Sequence, residues 1–428
     1  MFNRSWIRKL FTRPSKSIRR ASSRCRPGVE VLEDRTVPSV TFTRLDQDYR
    51  VGSPGVQDLQ VGWASNGMVT ADFNADGKLD LAVVSAALTS IGSPTPGVEI
   101  FYGDRYGEFP DATPFPTQAG PTESPISLAV VDFNNDGKPD LVVGDEYYQL
   151  VTVLINNGVN SNGEVRFRGY HRVAGIADLV AAADIDGDGK ADLITAGLGD
   201  TSVSVRRGNG DGTFGAAASY SVGYAASFLT TADVNGDGRA DVLVASADSG
   251  RISVLLGQAN GSLGSALSKT VGAGPRSIAV ADFNSDGKAD LAVANSTDNT
   301  VSVLLGNGDG TFQAGVTLTV GADPRSVAAT DFNGDGKPDL VVANFGDNSL
   351  NVFLGRGNGT FQAGPTLETG PGPFALLTAD WLVDGRPDVA VLQSNERVRI
   401  LAGHGAQYFT PGNVYDIVRP VRRDSDGD

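Results

Sequence analysis

From Val40 onward, apolar runs of about five residues alternate with short clusters of Gly, Asn, Asp and Ser. No stretch carries the i, i+3, i+4 spacing of a helix. The unit around Asp331 shows the pattern. Ser326-Val327-Ala328-Ala329-Thr330 predicts one strand and Leu340-Val341-Val342-Ala343 a second, with an acidic loop between them. A turn at Asn344–Asn348 leads to a third strand, Leu350–Leu354. A glycine-rich turn, Gly355–Phe361, leads to a fourth near Pro365–Glu368. Runs such as Leu340–Ala343 and Leu291–Ala294 are apolar at every position, as expected of strands buried on both faces.

The acidic loop recurs. Near-copies begin at Asp72, Asp132, Asp184, Asp233, Asp282, Asp331 and Asp380, at steps of 60, 52, 49, 49, 49 and 49 residues. Four strands per period, repeated seven times, predict an all-β fold, a seven-bladed β-propeller of four antiparallel strands per blade. An open solenoid is the alternative, but repeats of this length in solenoids are usually helical. Closing the ring buries both faces of every sheet and leaves only short outer edges. Two segments compete for the last outer strand: Val40-Thr41-Phe42-Thr43 with Tyr49-Arg50-Val51, and Val414–Val418 beyond Val398–Leu401.

Within each loop, oxygen-bearing side chains stand at positions 1, 3, 5 and 9. They are Asp72, Asn74, Asp76 and Asp80, then Asp132, Asn134, Asp136 and Asp140, then Asp184, Asp186, Asp188 and Asp192. The next three sets are Asp233, Asn235, Asp237 and Asp241, Asp282, Asn284, Asp286 and Asp290, and Asp331, Asn333, Asp335 and Asp339. Position 6 is Gly, which lets the chain turn so that alternate side chains converge with the carbonyl of position 7 (Lys78, Lys138, Lys190, Arg239, Lys288, Lys337). Oxygen-only donors suit a hard cation, and calcium takes about six to eight of them. One such loop is a good β-turn in its own right. Six that keep all four positions while position 4 varies predict calcium sites, about six ions in all. The seventh loop carries Leu382 at position 3 and is expected to bind weakly or not at all. The absence of a Glu at position 12 and of flanking helices separates these loops from EF-hands.

Phe332-Asn333-Gly334-Asp335-Gly336, with strands on either side, resembles the FG-GAP/VCBS repeat family, whose best-known propellers are those of integrin α subunits. The resemblance covers about residues 40–418. It implies calcium loops between the first and second strands of each blade. It also implies that partners bind the opposite face, formed by second-to-third and fourth-to-first loops. Candidates on that face are Asp145, Tyr147 and Tyr148 in blade two, with Arg276 and Arg325 before first strands. The same residues could be rim positions of ordinary loops. The Gly208–Phe214 and Gly306–Phe312 turns read as third-to-fourth-strand hairpins, their glycines supplying positive φ.

Composition narrows the function. Residues 1–38 carry ten Lys/Arg against Glu30, Glu33 and Asp34, so the net charge of −15 places about −22 on the rest. An acidic body argues against nucleic acid and against anionic membrane surfaces. Cys25, the single cysteine, lies in the basic leader, and no run reaches the roughly 20 apolar residues of a membrane span. Val29–Ser39, with Leu32-Glu33-Asp34-Arg35, resembles a short leader of exported planctomycete proteins, which implies a secreted or cell-surface location. The expected organisation is a leader (1–38), a propeller (39–418) and a tail (419–428), as a monomer. No Gly-x-Ser-x-Gly, His-Glu-x-x-His or phosphate-cradling glycine loop is present, and His171 and His404 stand in unrelated places. A calcium-dependent binding or adhesion module for a protein or polysaccharide is the first reading. A polysaccharide lyase or hydrolase on the same scaffold, or a scaffold of an envelope assembly, are the alternatives.

Overall fold

The computed structural model of the chain describes residues 42–50, 67–88, 95–104, 106, 108–109, 111–116, 125–145, 150–175, 178–394 and 397–403. They form seven four-stranded antiparallel sheets, each a meander of strands consecutive in sequence except in the last blade. Blade six shows the unit: Pro324–Thr330, Asp339–Asn344, Ser349–Gly355 and Phe361–Glu368. The first strands touch their neighbours in a closed circuit. It runs through Met68–Ala71, Pro125–Val131, Leu179–Ala183, Phe228–Ala232, Pro275–Ala281, Pro324–Thr330 and Pro373–Ala379, and from there back to Met68–Ala71.

The apolar runs follow from this ring. In Asp339–Asn344 every residue is buried. Leu340 and Val342 pack toward blade five, and Val341 and Ala343 toward blade seven. Alternate side chains of a strand point to opposite faces, so a sheet clamped between two others needs apolar residues at every position. There are seven core clusters among the described residues, one at each blade interface. Fourth strands lie at the rim and are more exposed, as in Phe361–Glu368, where no residue is fully buried.

The N-terminal candidate closes the ring. Phe42–Arg50 pairs antiparallel with Arg397–Gly403 and is the outer strand of blade seven, with an irregularity between Arg44 and Asp48. The rival segment, Val414–Val418, lies outside the described residues. At the same seam the Trp381 indole N–H donates to Thr70 Oγ1 at 3.2 Å, tying blade seven to blade one. The steps of 60 and 52 residues also find their place. Blade one has long second and third strands, Asp80–Leu88 and Thr95–Tyr102, and blade two has a long third-to-fourth hairpin, Leu150–Val159 and Val165–Ala174. Among the described residues no helix is long and apolar enough to cross a membrane.

Third strands in six blades end on a glycine pressed against the carbonyl that precedes the second strand. An ideal Cβ on Gly306 would lie 2.1 Å from the Ala289 oxygen, and one on Gly355 2.0 Å from that of Pro338. Gly306→Ala is therefore expected to destabilise the protein by about 1–3 kcal/mol, as overpacking does, measured as a fall in the urea midpoint. An unchanged midpoint would show that the strand end can move aside freely.

Candidate functional site

Antiparallel order puts all first-to-second and third-to-fourth turns at one end of the propeller. The remaining turns lie at the other. The acidic loops are first-to-second turns, and their side chains build them. Asp72 Oδ1 accepts the Asp76 N–H at 3.0 Å and its Oδ2 the Gly77 N–H at 2.8 Å. Asn74 Oδ1 also accepts the Asp76 N–H (3.0 Å), and Asp76 Oδ1 that of Lys78 (2.9 Å). The pattern repeats in the other intact loops, as at Asp282, Asn284 and Asp286. Asp and Asn bonding to the backbone two to five residues on is what folds so short a loop.

Two positions, not one, demand left-handed backbone. Position 6 has φ near +80° in every loop, as at Gly336 (81°). Position 4 is also left-handed: Ala75 (59°), Asn135 (57°), Gly187 (77°), Gly236 (77°), Ser285 (58°), Gly334 (75°) and Val383 (54°). Small or Asx residues tolerate this, whereas Val383 is β-branched and strained. The seventh loop thus keeps the turn while lacking the donor at Leu382.

Position 9 does something the spacing alone does not reveal. Asp80 is fully buried; its Oδ2 accepts the Phe73 N–H (2.9 Å) and its Oδ1 the Gly103 N–H from the third strand (3.0 Å). Asp140, Asp192, Asp241, Asp290, Asp339 and Asp388 repeat the arrangement, each joining its loop to its third strand at 2.7–3.1 Å. Burial pushes the Asp80 and Asp339 carboxyls up to about 7 and those of Asp140 and Asp388 to about 6, against the pull of these N–H donors.

Position 5 pairs with position 7. Lys78 reaches Asp76 at 2.9 Å, Lys138 reaches Asp136 at 2.7 Å, Lys190 reaches Asp188 and Lys337 reaches Asp335 at 3.1 Å, and Arg239 bonds Asp237. Lys288 stands farther from Asp286, at 3.9 Å. Desolvation raises the Asp136 carboxyl, but the hydrogen bonds and charge of Lys138 together outweigh it and hold that carboxyl below the usual carboxylate range.

The third loop brings Asp184, Asp186 and Asp188 together, with one carboxylate oxygen from each within 4.8 Å of the others. Three hard oxygens at that separation can hold one cation. Arg207 bonds to Asp186 there and stands 3.9 Å from Asp188. Both partners depart from the repeat. Position 3 is Asn elsewhere among the intact loops, and the residue matching Arg207 is Leu305 or Leu354 in blades five and six. Arg207 compensates the extra carboxylate, a pairing invisible without the fold.

At the opposite end, Asp145 is buried at the close of a second strand, and Arg276 and Arg325 are the second residues of first strands, inside them and not before them as expected. Arg325 is held in its own blade. Its guanidinium donates twice to Asp323 Oδ2 (3.0 and 2.7 Å) and lies 3.5 Å over the Phe345 ring. Tyr147, Tyr148 and His404 fall outside the described residues. The glycine-rich turns are hairpins, as expected, and the Asp211 and Asp309 carboxylates cap them by accepting from Thr213 and Thr311.

Such a ring of blades, each with an oxygen-lined first turn, defines a class of repeat propellers. The FG-GAP-like repeat profile matches residues 72–143, 132–195, 184–244, 233–293, 282–342 and 331–391, and so spans well over half of the chain. The chain belongs to that family. It is 30% identical over 155 residues to the phosphatidylinositol-glycan-specific phospholipase D of Rattus norvegicus, a match spanning 32% of this chain and 18% of that protein. Among solved structures, BBS1N in complex with ARL6DN superposes with a TM-score of 0.57 at 13% identity, covering 87% of this chain and all of that one. A streptogramin B lyase superposes with a TM-score of 0.53 at 12% identity, covering 86% and 98%. At those identities the likeness is one of fold.

If position 9 holds the blade together in its own right, the incomplete seventh loop should need it as much as an intact one. Asp388→Ala and Asp339→Ala are each expected to cost about 3 kcal/mol in chelator, since each orphans at least two buried N–H groups. Denaturant unfolding checks this. A near-neutral Asp388→Ala would reduce position 9 to a loop donor.

Proposed function

We propose that the protein is a calcium-stabilised binding module, secreted or displayed at the cell surface. The observation that carries the reading is the sixfold repetition of one all-oxygen donor set on a rigid ring. The ions would be held by positions 1, 3 and 5 of the loops beginning at Asp72, Asp132, Asp184, Asp233, Asp282 and Asp331, with the position 7 carbonyl. Position 9 can join them. A carboxylate has about four lone-pair sites, and the backbone N–H bonds engage two or three of them, three in Asp80. The donor set fits, because it is hard, anionic and preformed by the loop's own hydrogen bonds. Calcium supplies charge neutralisation in this setting, and the Lys or Arg at position 7 gives up its hold on position 5.

The benefit is electrostatic. The body of the chain carries about −22, much of it gathered at one end of the propeller. Ions that bind the folded ring and not the open chain stabilise it by mass action. With Kd on the order of 10⁻⁴–10⁻³ M and millimolar calcium, each site contributes about 1 kcal/mol. Partner recognition is assigned to the opposite end. Its loops vary between blades, and on a rigid scaffold variable loops carry recognition. A protein or polysaccharide ligand fits this reading, and arrays of both, probed in calcium, identify which.

Excess chelator should lower the melting temperature by many degrees relative to millimolar calcium. Superimposable melting curves would show that the loops are only turns.

A further inference from the structure

We propose that Arg207 is a built-in counter-ion of the third loop. It holds the carboxylates that a calcium ion would take, so the loop richest in acids fills last of the six intact ones. The proposal rests on the calcium reading above and extends it by ranking the sites.

The third loop alone carries a carboxylate at position 3, Asp186, where the other intact loops have Asn. Extra ligand charge ordinarily tightens a calcium loop. The geometry reverses that expectation. Both Asp186 oxygens are engaged: Oδ1 accepts the Asp188 N–H at 3.1 Å, and Oδ2 accepts from the Arg207 guanidinium. The same guanidinium nitrogen stands 3.9 Å from Asp188 Oδ2. One cationic group therefore faces two of the three carboxylates that cluster in this loop. Lys190 also bonds Asp188, but a cation at position 7 is common to the intact loops and does not set this one apart.

Neighbouring repeats show what Arg207 replaces. In the fourth and fifth loops the position 3 carboxamide donates its own N–H to position 5, Asn235 Nδ2 to Asp237 at 3.0 Å and Asn284 Nδ2 to Asp286 at 3.2 Å. A carboxylate has no N–H to give. The guanidinium supplies both the missing donor and the charge that a second acid demands.

Arg207 is also confined from its other side. In the repeat, the residue matching it is apolar and seats the hairpin tip of the next blade. An ideal Cβ on Gly212, Gly310 or Gly359 would lie 2.8, 2.6 or 3.0 Å from Ile155, Leu256 or Leu305. Arg207 is that seat in blade three, and a Cβ on Gly261, at the tip of blade four, would lie 2.5 Å from its Nε. The guanidinium is packed between the Gly261 tip and Asp186, whose side chain is only 1% exposed. An incoming cation must displace it from an interface between blades or bear the repulsion of a like charge a few ångströms away.

The test is hydrogen–deuterium exchange of the full chain along a titration from excess chelator to millimolar calcium, read on peptides covering each loop. Five loops should gain protection over one range of calcium, and the third at concentrations about tenfold higher. Arg207→Leu installs the residue of blades four to six and frees four acids in one loop. It should move the third loop from last to first. The double variant Asp186→Asn, Arg207→Leu rebuilds the pair found elsewhere in the repeat, so it serves even where the single variant does not fold. Its third loop should fill level with the other five. A third loop that is not last in the native chain, or that stays last once Arg207 is gone, would overturn the proposal and leave the calcium reading standing. Calcium-independent protection in all six loops would overturn both.

Discussion

The structure depends most on one buried carboxylate per blade. The aspartate at position 9 has no solvent exposure in six of the seven blades and is 1% exposed in the third. One of its oxygens accepts one or two N–H groups from the acidic loop and the other an N–H from the end of the third strand. A buried charge is tolerated only where hydrogen bonds replace its hydration. Here the donors are backbone groups that would otherwise be orphaned where the strands end. One side chain therefore satisfies both ends of the problem. It also explains why Asp388 persists in a loop that has lost its position 3 donor.

Once that joint is made, the rest of the blade follows. The loop is short, so its remaining Asp and Asn side chains fold it by bonding to their own backbone, and two left-handed residues complete the turn. The second strand leaves the joint into the space between two neighbouring sheets, buried along its whole length. Packing in a ring then leaves no interface uncovered, and the N-terminal strand completes blade seven. The proposed cation-binding geometry would thus be a by-product of a turn that the fold requires anyway.

Much of this was legible in the chain. Strand positions around Asp331, the hairpin at Gly306–Phe312 and the blade count all follow from periodicity, because buried strands and tight turns leave strong local patterns. Interactions between blades leave none. Arg207 is one arginine among many until the fold sets it against Asp186, 21 residues earlier. Asn156 donates to the Phe73 carbonyl 83 residues earlier, a bond between blades that could not be read from spacing. The choice between two candidate closing strands is likewise a matter of the last pairing in the ring, which neither segment's composition decides.

The central claim is that a repeated turn of hydrogen-bonded carboxylates doubles as a calcium site where, and only where, the donor set is complete. Anomalous diffraction from crystals grown in millimolar calcium tests it most directly. The account expects ions in the six loops beginning at Asp72, Asp132, Asp184, Asp233, Asp282 and Asp331, and none in the loop beginning at Asp380. An equally filled seventh loop, or ions in three or fewer of the six, would contradict it.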